Sequence, residues 1–250
     1  MTYVFRPYGI LQRPTGLDST RSTLHFKIHY SVAGDTNAIS PSDGDGNGTP
    51  DYVDDVSRVL EIVWQTEIVT MGYVAPPRDS TEGGDDKYDV YLMKIGSGIY
   101  GYAAGEDWVV DNPNSAGVAE NNAFTSYVVL RNNYQSFRRD DAQNVRHTSA
   151  HEFYHVIQNG YDAREKAWMK EATAAWSEDE VFDEINQNYD HLAPWFAFPW
   201  MPLDADHRTA DSLFTYEGHW YGSMIFFRYI SEHVGGRNTV RRIWEYSVTY

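Results

Sequence analysis

The chain has 250 residues, of which 42% are hydrophobic, so it can bury a substantial core and intrinsic disorder is excluded as its default state. Its net charge is −16, with 36 acidic against 20 basic residues, which makes nucleic acids and anionic lipid surfaces unfavourable partners. The chain contains no cysteine, which excludes disulfides and thiolate ligands and leaves histidine and carboxylate side chains for any metal ion.

The first part of the chain predicts a surface arm followed by a strand. Residues 1–22 are polar and punctuated by proline and glycine, and they lack the basic-then-apolar layout of a secretory signal. The alternation of apolar and polar residues over 23–32 predicts a half-buried strand. Its predicted buried face consists of Leu24, Phe26, Ile28 and Tyr30. We expect His25 and His29, on the other face, to be ordinary surface residues.

Residues 42–55 form an acidic segment that contains several glycines. Counting Asp43 as position one, oxygen-bearing side chains occupy the spacing of a twelve-residue calcium loop. The predicted ligands are Asp43, Asp45, Asn47, Thr49, Asp51 and Asp54. Without a cation the four carboxylates would repel one another at close range, so the segment predicts a structural Ca²⁺ site. The alternative is a solvated acidic turn that caps the following helix.

Hydrophobic periodicity predicts the elements that follow. They are a helix over 51–72, a loop over 75–87, an interior strand over 88–95, an edge strand over 96–105, a polar loop over 106–122 and a strand over 126–131. The acidic side chains of the loop at 75–87 have no fixed register, so a solvated loop is favoured over a second cation site. The small residues of 96–105 would let an extended peptide pair with the edge strand, main chain to main chain. The sequence contains no run of the ~18 apolar residues that a membrane span requires.

The sequence HEFYH at 151–155 is an H-E-x-x-H pattern within a predicted helix that is expected to end at Gly160. Residues four apart lie on one helix face, so His151 and His155 could each direct a ring nitrogen to the same ion. Glu152 could then take a proton from a water molecule that the ion activates. The alternative is a surface helix that carries these three residues by chance.

A zinc site of this kind needs a third protein ligand. Tyr161 occupies the position at which the longer H-E-x-x-H-x-x-G-x-x-H motif has its third histidine, so that solution fails. Residues 168–176 predict an alanine-rich second helix that returns antiparallel to the first. Glu171 on this helix is the predicted third ligand, and Glu178 is either a competing ligand or an outer-shell partner.

The remainder of the chain is predicted to be helical. Residues 186–208 are rich in aromatic residues and proline, and packing into the core is favoured over an apolar substrate pocket. A strongly apolar helix is predicted over 217–233 and a last helix near 240–246. His219 or Tyr221, at the start of the apolar helix, could donate a hydrogen bond to a developing oxyanion, and spacing does not select between them.

The segments HEFYH and WMKEATAAW together resemble the gluzincin class of zinc metallopeptidases, to which thermolysin and the aminopeptidase N type belong. The chain is most similar to a group of bacterial secreted metalloproteases, in which these segments follow a D-x-D-G-N-G-x-P-D-Y stretch. Here that stretch is at 43–52, and the resemblance covers residues 25–245. Because the segment between His155 and Glu171 is shorter than in thermolysin, thermolysin's more distant active-site residues cannot be transferred.

The order of predicted elements describes an α+β domain, and the resemblance implies a zincin-like version with a twisted mixed sheet. The expected parts are an arm (1–22), a subdomain with the calcium loop and active-site helix (23–160), and a helical subdomain with the third ligand (161–250). The expected function is a secreted zinc endopeptidase that acts on polypeptides, with catalytic Zn²⁺ and structural Ca²⁺. Two alternatives stay open, namely a catalytically inactive calcium-binding module and an aminopeptidase-type exopeptidase.

Overall fold

The computed structural model describes residues 12–34, 36–117, 119–205 and 217–248. Within these residues, five strands form one mixed sheet with the order β1-β2-β3-β5-β4. The strands are β1 (Ser19–Ser22), β2 (Phe26–Tyr30), β3 (Tyr88–Met93), β4 (Gly101–Val110) and β5 (Ala123–Arg131). The three inner strands β2, β3 and β5 run parallel to one another, whereas β1 and β4 pair antiparallel at the two edges.

Helices make up most of the rest of the described chain. They are α1 (Asp51–Trp64), α2 (Asp141–Asp162), α3 (Ala167–Val181), α4 (Leu192–Ala197), α5 (Glu217–Gly222), α6 (Met224–Ile230) and α7 (Arg237–Ser247). Two of them continue into π-helical turns, α1 over Gln65–Thr70 and α6 over Ser231–Gly235. The predicted α+β class is therefore confirmed. None of the helices in these described ranges is long and apolar enough to cross a membrane.

Helix α2 is the centre of the core, because strands β4 and β5 and helices α1, α3 and α7 all contact it. Its residues from His147 to Tyr161 are buried. Phe153 is fully buried, and its ring lies 5.1 Å from that of Phe26 on β2 and 5.8 Å from that of Trp64 on α1. A helix enclosed in this way holds its polar side chains at fixed positions in a water-poor interior.

The predictions for the first 32 residues are partly wrong. The end of the predicted arm is strand β1, and residues 1–11 lie outside the described part of the chain. Leu24 is 76% exposed, because it lies in the turn between β1 and β2 rather than in the strand. His25 and His29 are half-buried instead of freely exposed, since carboxylates of Glu61 and Asp89 contact their rings at 2.7 and 2.6 Å.

Helix α2 does not end at Asn159-Gly160, as predicted, but continues to Asp162. Gly160 is needed for close packing rather than for termination. A Cβ atom there would lie 3.1 Å from Cδ of Pro77 and 3.2 Å from Cα of Pro76. The glycine thus lets the chain around these two prolines approach the helix backbone.

Two further segments differ from their predictions. Residues 106–110 belong to edge strand β4 and not to a polar loop, because β4 keeps pairing with β5 through register shifts after Gly105. The aromatic segment 186–208 is not packed into the core at Phe196 and Trp200, which are 59% and 73% exposed. Positions 206–208 of that segment lie outside the described residues.

Candidate metal centre

Helix α2 positions three of the predicted site residues. Its N-terminus is capped by Asp140, whose side chain accepts a hydrogen bond from the backbone N–H of Gln143 at 2.8 Å. His151 and His155 lie one helical turn apart and are buried. Because α2 is packed on several sides, their rings have little freedom to turn.

Helix α3 brings Glu171 to the two histidines. A short turn over 163–166 separates α2 from α3. The Nε2 atoms of His151 and His155 lie 3.1 Å apart, and Oε2 of Glu171 lies 3.2 Å from the first and 3.5 Å from the second. Among the described residues, this is the one group of three His, Asp or Glu side chains whose ligand atoms all lie within 4.8 Å of one another.

A hydrogen-bond partner holds the outer nitrogen of each histidine. Nδ1 of His151 lies 2.7 Å from Oε1 of Glu178, and Nδ1 of His155 lies 2.7 Å from Oε1 of Gln158. When Nδ1 donates to these oxygens, a neutral imidazole presents the lone pair of Nε2 on its other side. Glu178 is thus an outer partner of His151 and does not compete for the ligand position.

These separations fit a zinc ion. Bonds of about 2.0–2.1 Å in a tetrahedron place neighbouring ligand atoms roughly 3.3–3.4 Å apart, and the three observed separations are 3.1, 3.2 and 3.5 Å. Two imidazoles and one carboxylate are an ordinary donor set for catalytic zinc. The buried Oε1 atom of Glu171 has no hydrogen-bond partner among the described residues, which also leaves the carboxylate available to an ion.

The charges at the centre are strongly coupled. Burial lowers the pKa of His151, but hydrogen bonds to Glu171 and Glu178 outweigh burial and raise it to about 10. Burial would raise the pKa of Glu171, yet the two histidines hold it well below its usual value. Burial lowers the pKa of His155 and raises that of Glu178. Without a metal ion, a proton on His151 would supply the positive charge that the carboxylates require.

Glu152 lies between α2 and the edge strand β4. Burial raises the pKa of its carboxyl group to about 8, and the charge of His151 and a hydrogen bond from the backbone N–H of Ala103 lower it in part. The close approach depends on Gly101, since a Cβ atom there would lie 3.1 Å from Cγ of Glu152. Oε1 of Glu152 is buried and has no partner among the described residues, so it is available to accept a proton.

The two candidates for oxyanion stabilisation differ in their surroundings. The ring of Tyr221 lies 6.0 Å from that of His151 and stacks on His191 at 4.8 Å. His219 instead stacks on Trp195, and its Nε2 lies 3.1 Å from the carbonyl oxygen of Pro202. The structure therefore places the ring of Tyr221 beside the candidate centre, whereas these contacts of His219 are with Trp195 and Pro202.

The sequence did not predict a role for three residues near the centre, namely His147, Gln158 and His191. His147 precedes His151 by one helical repeat and lies 3.9 Å from Glu178, so the spacing used for the other histidines could have found it. Gln158 follows His155 by three residues on the same helix, but its role depends on contacts with α3. His191 carried no signal in the sequence. Burial lowers the pKa of His191 to about 4, so its ring is neutral beside Tyr221.

The predicted calcium ligands lie on one exposed loop and the first turn of α1. Backbone N–H groups of Asn47 and Gly48 donate to Asp43, and those hydrogen bonds lower the pKa of its carboxyl group. Asp51 accepts from the backbone N–H of Gly44 at 2.9 Å. The side-chain amide of Asn47 contacts Asp45 at 3.0 Å and Asp54 at 2.6 Å. Thr49 is buried at the end of the loop. The calcium site stays a prediction.

The second acidic loop has an arginine as its counter-charge. Asp79 pairs with Arg13, and the same guanidinium contacts Asp89 and Glu106 on strands β3 and β4. The side chain of Asp79 is therefore buried in an ion-pair network, whereas Glu82 and Asp86 are exposed, as predicted for a solvated loop at 75–87.

The chain matches no family model, and it matches no curated protein sequence.

Proposed function

We propose that the protein is a zinc-dependent metallopeptidase that hydrolyses internal peptide bonds of polypeptides. The observation that carries the proposal is the set of three buried acceptor atoms at the spacing of a tetrahedral zinc site, with both outer histidine nitrogens engaged. The surrounding sheet and helices support a zincin-like interpretation of the α+β fold. The resemblance of the HEFYH and WMKEATAAW segments to gluzincins points in the same direction.

His151, His155 and Glu171 would hold the ion. When bound, zinc supplies Lewis-acid activation of a water molecule and polarises a carbonyl group. Glu152 takes the proton of the attacking water and passes it to the leaving amine. Its buried position suits this role, because Oε1 has no hydrogen-bond partner among the described residues and can accept the proton.

Edge strand β4 supplies a binding surface for an extended peptide. It lies at one end of the sheet order, so one of its sides has no neighbouring strand among the described residues. The backbone N–H of Ala103 on this strand lowers the pKa of Glu152, so the proposed general base lies beside the edge at which a peptide would add as a further strand. Tyr221, beside His151, is the candidate donor to the oxyanion.

The substitution Glu152→Gln tests the catalytic role. The amide cannot accept a proton, so we expect at least about a 10²-fold loss of casein hydrolysis while zinc content is retained. The matched control is Glu184→Gln, because the side chain of Glu184 is 64% exposed and lies outside the centre. Full activity in Glu152→Gln would remove Glu152 from its role. No zinc-dependent cleavage by the wild-type protein would favour the inactive calcium-binding module.

We also propose that residues 43–54 bind a structural Ca²⁺ ion. The amide of Asn47 already joins positions three and twelve of the loop, Asp45 and Asp54. Removal of calcium with a calcium-selective chelator should therefore lower Tm, and Asp43→Ala should abolish that shift. Asp183→Ala, at an exposed position, is the control. A Tm that does not respond to calcium in the wild-type protein would contradict this site.

A further inference from the structure

Gln158 connects the second histidine of the centre to helix α3. It is fully buried, and its Oε1 lies 2.7 Å from Nδ1 of His155. Its Nε2 donates to the carbonyl oxygen of Lys170 at 2.9 Å and to Oγ1 of Thr173 at 3.0 Å. All the polar atoms of one buried amide are thus used between α2 and α3.

These contacts fix the orientation of the amide. A backbone carbonyl can only accept hydrogen bonds, so the group of Gln158 that faces Lys170 must be the NH₂ group. Its oxygen then faces His155 and requires a hydrogen on Nδ1. The neutral ring consequently carries its lone pair on Nε2, the atom that lies 3.1 Å from Nε2 of His151.

Thr173 is in turn held by its own contacts. Its hydroxyl donates to the carbonyl oxygen of Met169 at 2.7 Å and accepts from Gln158 and from Nε1 of Trp244 at 3.2 Å. A hydroxyl has one hydrogen and two lone pairs, so these three bonds use its full capacity. Trp244 is fully buried on α7. Trp244 on α7 is thereby connected to His155 through the side chains of Thr173 and Gln158.

We propose that Gln158, held by Thr173, is the positioning residue that sets the tautomer of His155 and so its capacity to bind the metal ion. This inference rests on the proposed zinc site. Gln158 has no titratable group, so whenever the ring of His155 is neutral this amide keeps the hydrogen on Nδ1.

The test compares four variants of the full chain by zinc titration and by ¹⁵N NMR of the histidine rings. Gln158→Met removes the amide at similar size, Thr173→Val removes the hydroxyl, and Thr173→Ser restores it. Ser149→Ala is the control, because it deletes a buried α2 hydroxyl that has no partner among the described residues. We expect Gln158→Met to weaken zinc affinity about 10–100-fold and to lose the Nδ1–H tautomer of His155.

Thr173→Val should also weaken zinc binding, and Thr173→Ser, which keeps the hydroxyl, should bind zinc with wild-type affinity. Wild-type affinity and an unchanged His155 tautomer in Gln158→Met would overturn the inference. If that variant does not fold, equal affinities of Thr173→Val and Thr173→Ser would overturn it instead. Failure of the proposed function is distinguishable, because a wild-type protein that binds no zinc still reports its His155 tautomer in the metal-free state. The Nδ1–H form there would support the role of Gln158, and the Nε2–H form would contradict it.

Discussion

At the scale of single residues, Glu67 is an unusual group for a protein interior. It lies in the π-helical turn after α1, is fully buried, and neither of its oxygens has a hydrogen-bond partner of good geometry among the described residues. Burial raises the pKa of Glu67 well above its usual value, and Ser177 and His151 offset only part of that rise. The raised pKa extends the protonated form of Glu67 to higher pH than in an exposed glutamate.

The substitution Glu67→Gln tests this state. A raised pKa in the folded protein means that stability is fully present below the unfolded value of 4.5 and is lost as pH rises toward the folded pKa. The wild-type free energy of unfolding should fall with pH by up to about 1.4 kcal/mol per pH unit, and Glu67→Gln should lack this loss. Urea denaturation between pH 5 and about 8 measures the difference.

The pKa of Glu61, on helix α1, is shifted in the opposite direction, so Glu61→Gln serves as a control. Burial would raise its pKa, but hydrogen bonds from Thr23 and His25 outweigh burial and lower it. The stability that the Glu61 carboxylate contributes is present above its unfolded pKa and is lost as the pH falls through its lowered folded pKa. Glu61→Gln should therefore be less stable than the wild type at neutral pH. Parallel pH profiles for Glu67→Gln and the wild type would contradict the raised pKa of Glu67.

The three residues of the candidate centre could be predicted from the sequence, and their hydrogen-bond partners could not. His151 and His155 follow from the helical repeat, which is a local property of the chain. Glu171 follows from an alanine-rich segment that favours a close antiparallel return. The role of Gln158 depends on a carbonyl and a hydroxyl of another helix, and side-chain spacing does not encode the depth and rotation at which two helices pack.

At the scale of elements, the contact between α2 and β4 sets the position of Glu152. A Cβ atom at Gly101 would lie 2.8 Å from Cγ2 of Thr148 and 2.9 Å from the carbonyl oxygen of Val129. Both distances are shorter than real carbon contacts allow, and the second neighbour is backbone of the paired strand. An added methyl group would therefore push the edge strand away from the helix.

Gly101→Ala and Gly105→Ala form a matched pair on strand β4. We expect Gly101→Ala to lose about 1–3 kcal/mol of stability through overpacking and to lower activity, because Glu152 is displaced. At Gly105 a Cβ atom would meet its nearest neighbour, Nδ2 of Asn159, at 3.6 Å, which is an ordinary contact. Gly105→Ala should therefore be the milder change. Equal unfolding midpoints in urea would show that the contact at Gly101 does not constrain the strand.

Sequence patterns did not predict where helix α2 ends or which part of the aromatic segment is exposed. The sequence pattern predicts that Gly160 ends the helix, but in the structure Gly160 allows Pro76 and Pro77 to pack closely against the helix. Whether a glycine ends a helix or admits a neighbour depends on what packs against it, which lies far away in the chain. The exposure of Phe196 and Trp200 has the same cause, since composition does not reveal which face of a segment is covered.

At the scale of the whole molecule, the α+β class follows from the order of elements, whereas the strand order does not. The sequence predicts the strands at 88–95 and 126–131 and an edge strand between them in the chain. It does not show that β3 and β5 are neighbours in parallel, with β4 folded back to the edge. That arrangement depends on non-local pairing, and it places the edge strand beside the helix that carries Glu152.

The most direct test is the zinc content and zinc affinity of the purified full chain. We expect one tightly bound zinc ion per chain at the centre, with Glu171→Ala weakening binding by at least about tenfold and the exposed Glu184→Ala having no effect. A wild-type protein that binds no zinc would contradict the proposed centre. So would a Glu171→Ala variant that keeps the wild-type affinity.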